Sequence, residues 1–489
     1  MARTSESGPA LRHDRAVVYA LAYSGVIVAF VYTLMVPLLP TLPSLLRTSA
    51  SDASWVITAT LLTGAVSTPI AGRLGDLYGK RRVLLGSLGL LVAGSLIALL
   101  DASLVPVMAG RALQGCSLGV IPLGISVMRD ALPAERLGSG TALMSTSLGV
   151  GASFGLPASS AIVQYLDWRA LFVFSGCLGA VAIVLVRRFV PASSDHRSGR
   201  FDLPGAVGLT AGLVCLLLAV SKGDDWGWGS VVTLGLFVAA VLLLVGWSVL
   251  ELRTAEPLVD LRTNANSQVL LTNIASVMVG FLLFAQSLVS PQLLQLPEAT
   301  GYGLGLSVVA AGLCMIPSGI VMMAASTAGA RLSAARGPKA SLVCGSAVAT
   351  CGYAIGIGLM DNVWQVILAT TVIASGISLA YAAMPVLIME TVPPSETAGA
   401  NGVNALMRAI GTSTSSAVIG TVLVRTNQPF GDGSVPSMTG FRLGFGIAAG
   451  VGVAAVVTAA AIPAAIRSRR LTRREAAAPP AGHEMRQSS

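Results

Sequence analysis

The sequence predicts an all-α protein that crosses a membrane many times, and three observations carry that reading. Of its 489 residues, 54% are hydrophobic and only 11% charged, with a mean hydropathy of +0.77. A soluble domain carries about 25% charged residues. The apolar residues fall into about fourteen runs, each near 20 residues, the length at which a helix spans the hydrocarbon. The runs lack the two-residue alternation of barrel strands, and backbone groups in lipid must be satisfied within their own segment, so each run is a helix.

The runs follow one another with charged punctuation. Span 1, Ala16–Leu39, comes after Arg3, Arg12 and Arg15; it is too long for a cleaved signal and continues as a span. Arg47 separates it from span 2, Trp55–Ala71, and Arg73, Lys80, Arg81 and Arg82 lead into span 3, Val83–Leu100. Span 4, Leu104–Met128, ends at Arg129 and Arg136, before span 5, Leu137–Val163. Arg169 precedes span 6, Leu171–Val186, and Arg187, Arg188 and the polar linker Pro191–Arg200 precede span 7, Leu203–Val220. Lys222 stands before span 8, Val231–Leu250; Arg253 and Arg262 stand before span 9, Val269–Leu288. Span 10, Leu304–Ala324, is followed by Arg331, Arg336 and Lys339, then span 11, Ala340–Met360. Spans 12 and 13, Val363–Ile388 and Ala398–Val424, precede span 14, Phe441–Ile466, with Arg425 and Arg442 between and at its start.

Lys and Arg set the orientation. Only Arg47, Arg169, Lys222, Arg425 and Arg442 fall on the side opposite the N-terminus, while Arg111 and Arg408 lie within spans. The other 24 of the 31 cations share the N-terminal side, so both termini are expected in the cytoplasm. The net charge of +9 therefore reports topology and anionic lipid rather than nucleic acid, and the tail Arg467–Arg474 anchors the last span at the headgroups. Cys116, Cys177, Cys215, Cys314, Cys344 and Cys351 lie in apolar runs without metal spacing and read as packing residues. Three lysines among the 31 cations are compatible with a GC-rich bacterial genome.

The most informative stretch is the loop Gly72-Arg73-Leu74-Gly75-Asp76-Leu77-Tyr78-Gly79-Lys80-Arg81-Arg82. Its glycines allow a tight turn between closely packed helices, and its cations fix that turn on the inner side. A shift of 258 residues lays Arg331-Leu332 on Arg73-Leu74, Gly337 on Gly79, Lys339 on Arg81 and Leu342 on Leu84, with Ala334 where Asp76 stood. Such a repeat divides a transporter into two six-helix halves. The chain resembles the major facilitator superfamily, in its fourteen-helix drug:proton antiporter branch. The resemblance implies helices arranged as six, two and six. On that reading 1–190 is an N-terminal bundle, 191–267 a linker with two inserted helices, 268–466 a C-terminal bundle and 467–489 a basic tail.

Other stretches carry the resemblance along nearly the whole chain. They are Trp55-Val56-Ile57-Thr58 opening span 2, Arg111-Ala112-Leu113-Gln114-Gly115 in span 4, and Asp167-Trp168-Arg169 with Phe172 before span 6. Phe201-Asp202-Leu203-Pro204-Gly205 is similar to the start of the inserted pair, and Glu251 with Pro257-Leu258-Val259-Asp260 to its exit. Pro393-Pro394-Ser395-Glu396 to Gly399 and Arg408-Ala409-Ile410-Gly411 resemble the approach to span 13 and its middle. The antiporter motif of span 5 is altered: the run Gly149 to Ser160 keeps Gly151, Gly155 and Pro157, but proline is displaced by one position and Ser159-Ser160 replace a glycine pair. Its small residues permit close packing against span 10.

The resemblance implies a central cavity lined by spans 1, 4, 9 and 12. Candidate substrate-binding residues are Tyr23 and Tyr32, Arg111 and Gln114, Asn273 and Gln286, and Ser378 and Tyr381, with Tyr19, Thr33 and Ser375 nearby in sequence. Aromatics and amides on apolar walls suit an amphiphilic organic substrate, although polar residues in such helices as often glue helices together. Arg111 stands apart, because an arginine within a span must face the bundle interior or water. Gly72, Asp76, Gly79, Lys80, Arg81 and Arg82 read as a conformational switch. The resemblance places Asp76 near the start of span 13, with Arg408 as a further partner.

No acid falls in mid-membrane, and His13, His196 and His483 are peripheral. Proton coupling would therefore use Asp76, Asp130 or Glu390, whose ordinary roles are capping and salt bridging. The expectation is a secondary exporter of drugs, antibiotics or toxic metabolites in a bacterial inner membrane, monomeric, with no metal and no cofactor. Its partners are a small-molecule substrate, protons and lipid. Two alternatives remain: a non-transporting sensor or partner-binding subunit, and an exporter of an endogenous metabolite without proton coupling. The first predicts a sizeable soluble domain, and an enzyme predicts a catalytic constellation; the sequence shows neither.

Overall fold

The computed structural model describes residues 7–35, 38, 42–191, 199–393, 396–430 and 433–463. The basic tail 467–489, most of the linker at 192–198, and Arg3, Pro394 and Ser395 lie outside the described residues. Fourteen membrane-length helical segments follow in order: α1 Ser7–Thr33, α2 Ala50–Tyr78, α3 Lys80–Ala98, α4 Leu104–Ala131, α5 Ala134–Tyr165, α6 Ala170–Phe189 and α7 Leu203–Trp226. The rest are α8 Val231–Arg253, α9 Ser267–Gln295, α10 Val308–Arg336, α11 Pro338–Gly358, α12 Val363–Met389, α13 Thr397–Arg425 and α14 Met438–Ala461. All fourteen expected spans are present as helices.

Thirteen of them are apolar enough to cross a membrane on composition alone; α13 is the exception. Its 29 residues bury Asn401, Asn404, Arg408, Thr412, Ser413 and Ser415. A span this polar is tolerated because α13 packs between α9 and α2, where its polar groups meet other helices rather than lipid. Span 4 is not one uniform α-helix. It tightens to a 3-10 turn at Cys116–Gly119, where Gly115 presses on Thr60 and Thr63 of α2. Thr63 Oγ1 donates to the Ala112 carbonyl at 2.8 Å, competing with the α-helical bond there.

One apolar core fills the space among α1 to α6, around Leu21, Leu34, Leu88, Leu123 and Phe172. A second fills α9 to α14, around Leu282, Leu342, Tyr353, Ile377 and Phe445. The inserted pair sits outside both. Ala206, Leu209, Leu213 and Leu217 of α7 pack with Ala65 of α2 and Val403 and Leu406 of α13, so α7 covers the seam between the halves. α8 packs on α7 and leaves most of its surface exposed, as a lipid-facing helix should. A two-stranded antiparallel hairpin, β1 Asn427–Phe430 and β2 Gly433–Pro436, follows α13.

The repeat is visible in the backbone. Gly79 and Gly337 join α2 to α3 and α10 to α11 with φ of 97° and 89°, a region open to glycine and strained for other residues. The paired cations repeat the contact: Arg81 Nη2 donates to Arg187 O and Lys339 Nζ to Ile462 O, each at 2.6 Å. Each cation thus caps carbonyls at the end of the last helix of its half. The end of the bundle carrying these loops is called the basic end below.

Candidate functional site

At the basic end, three devices hold the halves together. Asp76, at the end of α2, accepts a hydrogen bond from the Gly399 amide at 3.0 Å. That amide belongs to the first turn of α13, where N–H groups lack intrahelical partners and the dipole favours an anion. One turn back, a β-carbon at Gly72 would stand 2.6 Å from the Ala398 carbonyl oxygen, so only glycine admits this approach of α2 to α13. The third device is Arg129, at the end of α4. Its guanidinium donates to Met389 O at 3.2 Å, to Val392 O at 3.3 and 3.2 Å, and to the Thr397 hydroxyl. It therefore caps the last turn of α12 and clasps the α12–α13 connection.

The neighbouring charges support this gate from within the first half. Lys80 Nζ bonds Asp130 at 2.7 Å, tying the α2–α3 turn to α4. Arg82 is exposed, and Arg73 is buried with Nε and Nη2 unpaired. Glu390, just past α12, accepts from Gln268 Nε2 at 3.3 Å. Partial burial pushes its carboxyl up from the ordinary range, and the Gln268 bond pulls it partly back.

Deeper in the bundle, Arg111 of α4 is fully buried. Its Nη1 donates to Val31 O at 2.8 Å and to Gln114 Oε1 at 2.9 Å, while Nε and Nη2 have no partner. Gln114 is itself fixed, donating to Ser95 and Ser175 at 2.8 and 3.3 Å, so it orients the arginine from α3 and α6. Tyr32 of α1 interacts with Arg111, with Thr412 of α13 and with Tyr381 of α12, bridging the halves. Tyr381 is buried with its hydroxyl unpaired, and Arg408 lies over its ring at 5.3 Å. Arg408 is held by Asn404, which donates to Asn273 at 3.0 Å and to Ser276 at 2.6 Å.

Two buried guanidinium groups thus flank a pair of tyrosines. Among the described residues every acid sits near a span end or in a loop, so no carboxylate neutralises them. Placing each arginine there costs at least about 2.5–3.5 kcal/mol. An unpaired buried fork of this kind is suited to donate hydrogen bonds to a carbonyl, phenolate or carboxylate oxygen.

Residues 21–416 match the Major Facilitator Superfamily. The chain belongs to that superfamily. Its members are transporters rather than enzymes, and the chain is one of them. It is 28% identical over 432 residues to the tetracenomycin C resistance and export protein of Streptomyces glaucescens, covering 84% of this chain and 77% of the relative. It is 23% identical over 378 residues to multidrug resistance protein 3 of Bacillus subtilis, covering 76% and 72%. It is 27% identical over 428 residues to an MFS-type transporter of Mycobacterium tuberculosis, covering 85% of this chain but only 61% of that longer protein. In fold it matches the crystal structure of the human organic anion transporter MFSD10 with a TM-score of 0.62 at 16% identity, covering 91% and 99%.

Within this facilitator-type transporter the expected site residues divide. Arg111, Tyr32 and Tyr381 come together; Gln114 supports Arg111 without facing open space. Arg408 joins the same cluster and is not a partner of Asp76: it stands nine residues beyond Gly399, about 13 Å along α13. Asn273 is spent on Asn404 and Asn264, near the basic end, and Ser378 donates to Met322 O at 2.6 Å as a clasp between α12 and α10. Gln286 donates to Thr370 O at 3.2 Å, with Oε1 unpaired. Tyr23 lies instead in an apolar groove of about 480 Å³ between α1, α5, α6 and α10, beside exposed Tyr19.

The span 5 motif serves two faces. Pro157 backs onto Gly312 of α10, as Ser153 does onto Gly319 and Gly149 onto Met322. Gly151 and Gly155 face the other way, against Val26 to Thr33 of α1. Sequence reasoning missed Arg129, counting it only as a topology charge. Its signal was position: a cation in the last turn of a span, at the same end as the Asp76 loop.

Proposed function

We propose that this transporter exports neutral or weakly anionic amphiphilic organic compounds from the bacterial cytoplasm by proton antiport. It works as a monomer in the inner membrane with both termini cytoplasmic, and its halves rock between inward and outward access. The carrying observation is Arg111, buried, unpaired at Nε and Nη2, and facing Tyr32 with no acid nearby. A permanently cationic compound would need an anionic partner to offset its desolvation there, and two arginines repel it. The apolar groove at Tyr19 and Tyr23 supports cargo with substantial hydrophobic surface. Relatives named for tetracenomycin C export, cephamycin export and multidrug resistance support both direction and substrate class.

The test is uptake into inverted vesicles of matched cationic, neutral and anionic amphiphiles. Arg111→Ala removes charged hydrogen bonds worth about 1.5–3 kcal/mol, so transport efficiency for the anionic member falls about 10- to 150-fold. Arg111→Lys loses less, keeping the charge without the planar fork. Vigorous uptake of a permanently cationic dye that survives Arg111→Ala sinks the assignment.

A further inference from the structure

The inserted pair carries chemistry that neither the gate nor the central cluster uses. Asp202 precedes α7 and Glu251 lies in the last turn of α8; they are 9% and 3% exposed. Asp202 Oδ1 caps α7 by accepting from the Gly205 amide at 2.9 Å, which accounts for one oxygen only. A β-carbon placed on Gly205 would touch both Asp202 Oδ2 and Glu251 Oε1, so the two carboxyl groups converge on the same point. Asp202 Oδ2 and both Glu251 oxygens lack a hydrogen bond, although the Trp247 indole and the Leu258 and Val259 amides lie close to Glu251. Among the described residues no Lys or Arg reaches either carboxylate in a salt bridge.

Glu251 also lines a polar cavity of about 110 Å³ at the basic end, whose far wall is the gate itself. The charged groups facing it are Arg73 and Asp76 from α2, Asp260 and Arg262 between α8 and α9, and Glu396 before α13. Two adjacent buried carboxylates without a salt-bridge partner repel one another, and one proton held between them would convert that repulsion into a short charge-assisted hydrogen bond.

We propose that Asp202 and Glu251 form a proton-binding carboxyl–carboxylate pair on the inserted helices, open to the basic end through the cavity that Glu251 lines with Arg73 and Asp76. The inserted helices then act as more than a spacer: they put a proton site on the cavity whose wall also carries Asp76 and Gly399 of the latch between the halves. Binding joins one proton to two carboxylates, leaving one net negative charge on the pair; release leaves two. This deepens the proton-antiport reading, and rests on it only for the direction in which the proton is used.

The test is infrared spectroscopy of the full chain in lipid at neutral pH, where isolated carboxyl groups are ionised. A protonated-carboxyl band that shifts in deuterium oxide is expected. Glu251→Gln and Asp202→Asn should each remove the same band, and the double variant should remove no more. Two additive bands, no band, or a band displaced by sodium or potassium at constant pH would each overturn the shared proton. The wild type offers a second readout: a carbodiimide, which modifies protonated buried carboxyls, should label Glu251 or Asp202 in peptide mass spectra. Absence of label on both overturns the proposal even where a variant fails to insert. Neither measurement uses substrate or a gradient, so the proton site and the exporter reading fail separately.

Discussion

Arg129 is the residue whose removal should most directly change which way the molecule faces. Its guanidinium bonds three residues of the other half, Met389, Val392 and Thr397, and so ties the two halves together at the basic end. Hydrogen bonds from an ionised donor contribute about 1.5–3 kcal/mol each when buried. Arg129 is partly exposed, so water replaces much of what is lost, and we assign that single range to the whole clasp. Arg129→Gln should then shift the equilibrium between access states about 10- to 150-fold toward opening of the basic end. Arg129→Lys should shift it less, because a point charge serves fewer carbonyls than a planar fork. Spin labels at Arg188 and Arg336, exposed positions on different halves, report the separation by pulsed electron resonance in a background without the native cysteines. A distance distribution unchanged by Arg129→Gln, in protein of normal abundance, would show that the clasp does not hold the closed state.

Three further outcomes follow from the same geometry. Asp76→Asn should lower transport of every substrate by a similar factor at unchanged membrane abundance, since it weakens the latch on Gly399 and touches no cargo; loss confined to one compound contradicts this. Gly72→Ala puts a methyl against the Ala398 carbonyl only in the closed arrangement, so overpacking of about 1–3 kcal/mol should favour opening, read by the same label pair. Glu390 has its carboxyl pushed up by partial burial, so the fold is favoured by its protonated form and loses that contribution as pH rises through the raised value. Glu390→Gln should therefore raise the melting temperature relative to wild type at alkaline pH and not at acidic pH; the opposite order refutes the sign.

The fold was legible because membrane solvation leaves few solutions: apolar runs of spanning length, a cation bias and a repeat at 258 residues point to fourteen helices, twelve of them in two related sets. α13 shows the limit of that logic. Its arginine, asparagines and hydroxyls make it the least apolar span, yet it is a core helix, because it is packed between α9 and α2. The site was less legible. Composition placed Arg111 inside the bundle, as an intramembrane charge must be, and the glycine loop placed Asp76 at a turn. Neither could show that Arg408 faces Tyr381 rather than Asp76, since that depends on the rotation of α13 and nine residues of rise. Asn273 and Ser378 looked like cavity residues for the same reason: a polar side chain in a span reads alike whether it faces a substrate or a neighbouring carbonyl.

The degenerate repeat explains why the two seams between the halves are built from different chemistry. The α2–α13 seam is latched by Asp76 and overlaid by α7, with charge and a polar cavity at its basic end. In the second copy Ala334 stands where Asp76 would be, and the α5–α10 seam is Gly149, Ser153 and Pro157 against Met322, Gly319 and Gly312. A contact of small and flexible side chains slides at little cost. A carboxylate on a helix N-terminus has two discrete states, made or broken. The rocking proposed above uses both kinds: one seam that stays packed while the helices tilt, and one that resists the tilt. With no acid at that position of the second copy, the carboxylate latch lies with the first half, on the seam where the inserted pair is docked.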